Sequence, residues 1–253
     1  MRNSFFSFLI EVYNEFISGL PDLRIIFVIL LFFTAWAFLC SIIAAYLKTG
    51  KGLKTGYTRK VYHFLIFISA AIINQILGFS GVCMFGIIVS CFIFYALIKR
   101  KTSGLYLALA RESDLPNSTL YIIIPYLSTL LGGILINFYF PDNVILGYLI
   151  CGIADASGEV IGTKFGKRFY EVKLLNVHTS FKSIEGSSSI LTISFVIYSV
   201  YAIITFQYFS LLMIFHILLA SVIVTVAEII TPKGFDNLTI QVISVLAYLT
   251  IIQ

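Results

Sequence analysis

VYHFLIFISAAIINQILGFSGVCMFGIIVSCFIFYALI, residues 61–98, is an almost unbroken apolar run. About 20 apolar residues suffice to cross roughly 30 Å of hydrocarbon, so this run is long enough for two crossings. The stretch Gly78-Phe79-Ser80-Gly81 offers the tight turn between them. Similar segments lie at 25–47, 118–139, 144–162, 187–206, 209–230 and 237–252. These long continuous runs predict helices rather than the ~10-residue alternating segments of a barrel. The fold class read from them is all-α: a polytopic integral membrane protein of about eight transmembrane helices.

Composition supports this reading. The 253 residues are 59% hydrophobic and only 11% charged, with a mean hydropathy of +1.00. A soluble domain carries about 25% charged residues, so so few charges could not cover a water-facing surface. Residues 4–19 place Phe5, Phe8, Leu9, Val12 and Phe16 at helical spacing, with Glu11 and Glu15 on another side. That pattern predicts a short interfacial helix, ended by Pro21 and Asp22. The expected division is therefore an N-terminal interfacial helix, 1–23, and a single transmembrane domain, 24–253. Cys40, Cys83, Cys91 and Cys151 all fall in apolar runs with no C-x-x-C spacing, and read as small buried residues.

The cations sort to one side. All but Arg2 and Arg24 of the 17 Lys and Arg residues fall in the loops 48–60, 99–116, 163–186 and 231–236. With eight crossings these loops share a face, which the positive-inside rule makes cytoplasmic, with both termini opposite. The acceptor-like tripeptides at Asn117 and Asn237 then lie on the wrong side for glycosylation.

Ionisable residues in such helices are expensive and become functional candidates. Asp155 and Glu159, four apart, put two carboxylates on one helix face. Hard oxygen pairs suit Mg²⁺ shared with phosphate. Gly158 and Gly162 permit close approach of a helix or a ligand. Lys182, followed by Ser183, Glu185 and Gly186 at a helix mouth, suits an anion. Asp236 and Asn237 open the last helix, where an N-cap is the plainer reading, whereas Glu228 near a helix end has no such explanation. Arg59, Lys60 and His63 head the second crossing, and Arg111 precedes the fourth. His178 and His216 lack a partner pattern. Spacing excludes a P-loop, and no βαβ unit is available to host a Rossmann loop.

Five stretches occur in order: RKVYH (59–63), ARESDLPNS (110–118), DASGEVIGTKFGK (155–167), FKSIEGS (181–187) and EIITPKGFDNLT (228–239). Together they resemble the CTP-dependent lipid-alcohol kinases: phytol kinase, dolichol kinase and the yeast-type diacylglycerol kinase. The likeness covers roughly residues 57–245. It implies phosphoryl transfer from CTP to a lipid alcohol such as phytol, a polyprenol or diacylglycerol. Phosphatidate cytidylyltransferases share a similar core but end differently, and this chain's KGFDNLT (233–239) looks like the kinase branch.

The expected roles follow that resemblance. Asp155, Glu185 and Asp236 would hold Mg²⁺ on the nucleotide. Lys182 would neutralise developing charge, and Glu159 or Glu228 would accept the hydroxyl proton. Arg59, Lys60, His63, Arg111, Ser183, Gly186 and Asn237 would contact the nucleotide. The expected partners are the nucleotide, the lipid alcohol and membrane lipids, with no nucleic acid. A transporter would instead gather its charges near the midplane.

Overall fold

The computed structural model describes residues 2–174, 178–207, 210–232 and 234–253. Lys233 lies outside them, and so do the side chains of His178, Thr179 and Ser180. The chain is almost wholly helical. In order come α1 (Arg2–Ser18), α2 (Leu23–Thr49), α3 (Thr55–Lys99), the short α4 (Gly104–Leu109) and α5 (Leu120–Tyr139). Next are α6 (Val144–Leu149), a π-helical turn (Ile150–Asp155) and α7 (Ala156–Phe165). These three form one continuous 25-residue rod, Pro141–Phe165 with its leading turn. After a hairpin, α8 (Ile184–Phe206), α9 (Leu211–Ile230), α10 (Asp236–Ala247) and a last π turn (Tyr248–Ile252) complete the chain.

Six helices among the described residues are long and apolar enough to cross a membrane, and Asp236–Ile252 is a shorter apolar one. Their outer faces carry large apolar side chains in the open: Leu211 is 86% exposed and Ile98 79% exposed. Water would penalise such a surface and lipid does not. The molecule is an integral membrane protein built of helices.

Residues 61–98 belong to α3, a single hydrogen-bonded run broken at Gly78. There the backbone takes φ 62° and ψ −157°, a conformation open to glycine and strained for other residues. The expected turn is thus a one-residue break, and the two legs, 55–77 and 79–99, are separate rods. The helix also starts earlier than the apolar run: Arg59 and Lys60 lie in its first turns, not in the preceding loop. Thr58 pins that start by donating to the Ala108 carbonyl of α4 at 2.7 Å.

Among the described residues, the loop 163–186 holds the one departure from an all-helical chain. β1 (Phe169–Leu174) and β2 (His178–Ser183) form an antiparallel hairpin, with Tyr170 opposite Lys182. Phe169, Tyr170 and Val172 supply β-formers, a signal masked by the loop's basic character. Two apolar cores hold the bundle. One packs Phe67 of α3 with Tyr148, Ile150, Ile217 and Ile240. The other packs Phe33 and Cys40 of α2 with Phe85, Ile93 and Ala108. Cys40 and Cys151 are fully buried free thiols, as expected, but Cys91 is exposed.

Candidate functional site

The start of α3, the rod of α6 and α7, the hairpin, the end of α9 and the start of α10 meet at one end of the bundle. Their side chains form a buried charged network. The π turn places Asp155 at its last residue, and such turns recur at functional sites. Lys60 Nζ donates to Asp155 Oδ2 at 2.5 Å, and both residues are buried. His63 Nε2 lies 3.4 Å from the same oxygen and 2.9 Å from the Cys151 carbonyl.

One turn further along, Glu159 is shared by three cations. Arg59 Nη2 reaches its Oε2 at 2.8 Å and Lys60 Nζ the same atom at 3.6 Å. Arg111 Nη2, from the loop before α5, donates to Oε1. Both carboxylate oxygens are therefore engaged. Burial, and after it the like charge of Arg59, pulls the Arg111 guanidinium below its ordinary value. Its Nε is buried without a partner among the described residues.

A second ion pair joins hairpin to bundle. Lys182 Nζ donates to Glu228 Oε1 at 2.6 Å and also to the Glu228 carbonyl. The other carboxylate oxygen, Oε2, is buried with no hydrogen-bond partner among the described residues. Asp236 accepts from the backbone N–H of Asn237 at 3.1 Å. Its helix begins at Asp236 itself, so the expected N-cap role is only approximated. Asn237 donates to the Pro125 carbonyl at 3.1 Å and to Thr129 Oγ1 at 2.7 Å, which fastens α10 to α5.

Not every expected residue joins this network. Ser183 is the N-cap of α8 and accepts from Gly186 N at 3.1 Å. Gly186 packs against α7: a methyl there would lie 2.7 Å from the Gly158 carbonyl oxygen. Gly158 and Gly162 complete the same close crossing, the packing role that small residues serve in membrane helices. The Glu185 carboxylate accepts from the backbone N–H of Arg168 at 3.5 Å and takes no part in the ion pairs given above. Of the three carboxylates expected to hold Mg²⁺, Asp155 and Asp236 stand at this end of the bundle and Glu185 does not join them; the donor atoms that lie within 4.8 Å of one another are those of His63, Cys151 and Asp155. The Lys60 ammonium sits against Asp155 where such an ion would bind, so binding there requires Lys60 to move.

From the charged network an apolar cavity of about 460 Å³ runs into the bundle. Arg59, Lys60, His63, Asp236 and Asn237 line its polar end. Phe67, Val82, Ile122 and Tyr126 line its apolar length. The volume lies within the usual range for small-molecule sites, about 300–1,000 Å³. Neither the cavity nor the anchoring role of Thr129 was visible in the sequence. Pro125 inside an otherwise helical run was the one available hint.

No family model matches the chain, and neither a curated protein nor a solved structure matches it.

Proposed function

We propose that this chain is a membrane-embedded kinase that transfers the γ-phosphate of CTP to the hydroxyl of a lipid alcohol. One observation carries the reading: Arg59, Lys60 and Asp236 line the polar end of a long apolar cavity, and Arg59 and Lys60 are ion-paired there to Asp155 and Glu159, with Arg111 and the Lys182–Glu228 pair behind them. Taking so many charges out of water costs several kcal/mol per ion, on the order of what only close pairing or a ligand offsets. Scaffolding alone would favour apolar residues there. An amphiphile with a hydroxyl head and an apolar tail matches the two ends of the cavity. The choice of CTP and of a kinase rests on the five ordered motifs.

Phosphoryl transfer depends on positioning and charge neutralisation more than on covalent chemistry. The bond between the γ-phosphorus and the β-bridging oxygen breaks, a bond to the lipid oxygen forms, and CDP leaves. Mg²⁺, held by Asp155 and Asp236, would neutralise phosphate charge. Glu159 orients the Arg59 and Arg111 guanidinium groups toward the phosphates. Glu159 has both oxygens committed, whereas Glu228 keeps Oε2 free. Glu228 is therefore assigned as acceptor of the hydroxyl proton. Lys182, its ion-pair partner, stands beside the developing charge.

In the same reading the two legs of α3 each cross the membrane and Asp236–Ile252 makes the last of eight crossings. The charged end then faces the cytoplasm, source of the nucleotide, and both termini lie opposite. The distribution of Lys and Arg supports this orientation.

The test uses purified protein in detergent, labelled CTP and ATP, and phytol, geranylgeraniol, polyprenols and diacylglycerol. The expected product is a lipid monophosphate with release of CDP. If no alcohol is phosphorylated while phosphatidate and CTP yield pyrophosphate, nucleotidyl transfer replaces the kinase reading.

A further inference from the structure

The far end of the cavity is lined by a different kind of element. The first leg of α3 runs ~28 Å from Arg59 to the Gly78 break at about 1.5 Å per residue, close to the thickness of a bilayer core. The cavity follows that leg and continues past the break along Phe79, Val82 and Cys83. There its wall is α1, through Val12, Tyr13 and Phe16. This helix is peripheral, yet it is held at two points. Ser80 Oγ, just past the break, donates to the Phe16 carbonyl at 2.8 Å. Phe8 packs edge-on against Phe138, with ring centroids 5.2 Å apart, and stacks on Tyr139 at 6.1 Å. Between these two anchors Val12 and Tyr13 face the cavity.

Resting on the lipid-alcohol reading, we infer that α1 is a ruler for the substrate tail: the side chains of Val12 and Phe16 set the longest chain that fits while the hydroxyl stays at the charged end. The polar end is fixed by ion pairs, so the head cannot retreat to make room for a longer tail. A tail carbon that cannot enter forfeits its packing contacts in the cavity, since the surrounding lipid or detergent is as apolar as the cavity wall. No core helix needs to change for the length limit to change.

Binding, not turnover, reads this out. Affinities of the full-length protein in detergent for geraniol, farnesol and geranylgeraniol are measured by ligand-induced thermal stabilisation and native mass spectrometry. Val12→Trp should weaken geranylgeraniol by about tenfold or more through overpacking of the tail and leave geraniol unchanged. Phe16→Ala should do the reverse, favouring the longest alcohol. Asn14→Trp adds bulk to an exposed position of the same helix that does not line the cavity and should leave the profile alone. Unchanged length profiles in both cavity variants, or the same change in Asn14→Trp, overturn the ruler. Length-selective binding without phosphorylation upholds the ruler and sinks the kinase. Failure of the unmodified protein to bind any of the three alcohols removes both.

Discussion

Two polar networks lie in this bundle, and they are built differently. The one at the end of the bundle is charged, with Asp155, Glu159 and Glu228 paired to Lys60, Arg59, Arg111 and Lys182. The one within the bundle is neutral. Asn137 accepts from Asn74 at 2.6 Å and donates to the Tyr148 hydroxyl at 2.7 Å and to the Gly133 carbonyl at 2.8 Å. Gln241 donates to the Asn237 carbonyl at 2.8 Å. Amides and hydroxyls satisfy one another at modest cost in an apolar medium and stitch helices together. Each network leaves loose ends, Arg111 Nε and Glu228 Oε2 in the charged one and Gln241 Oε1 in the neutral one, but charges cost far more to bury than amides. On the proposed reading, the difference separates a network that holds the bundle from one that meets a charged ligand.

The sharpest way to break that distinction is Asp155→Ala, which leaves the buried Lys60 ammonium only the longer 3.6 Å contact to Glu159. Loss of one member of such a pair destabilises by about 3–5 kcal/mol, read as a lowered unfolding temperature in detergent. Adding Lys60→Met to it should restore most of the stability and none of the turnover. A double variant that still phosphorylates alcohols would make the charged network structural after all.

A smaller effect on stability and a clear one on rate is expected for Glu228→Gln, which keeps a hydrogen bond to Lys182. The rate constant with saturating substrates should fall about 10²-fold or more, with the unfolding temperature little changed. Retention of full turnover would move the proton acceptor elsewhere.

Asn137→Ala tests the other side of the comparison. It leaves the Asn74 amide and the Tyr148 hydroxyl short of a partner, at about 1–3 kcal/mol. Turnover per folded molecule should change little. A loss as deep as that of the Glu228 variant would erase the contrast between the two networks.

Much of the charged network could be foreseen as a set of residues but not as a set of partners. Asp155 and Glu159 share a helix face by their spacing alone, and both stand at the site. Glu159 meets Arg59 across 100 positions of sequence, a pairing that no local pattern encodes. Lys182 looked like a phosphate ligand at a helix mouth. The hairpin that carries it to Glu228 was hidden because basic composition read as loop. Ser183 and Gly186 have their own local explanation as cap and packing surface, which a helix start supplies without any ligand.

Hydropathy by itself determined that this chain lives in a membrane as a set of helices, and even where the second and third apolar stretches divide. The reason is local: each segment must satisfy its own backbone and match the bilayer in length. The tertiary structure decided which carboxylate faces which cation, that one oxygen of Glu228 is left over, and that α1 lines the cavity. Those depend on how rods pack side by side, and distances between rods are set by side-chain volume and by glycine crossings such as Gly158 on Gly186. Such contacts join residues far apart in the chain, beyond the reach of periodicity and spacing.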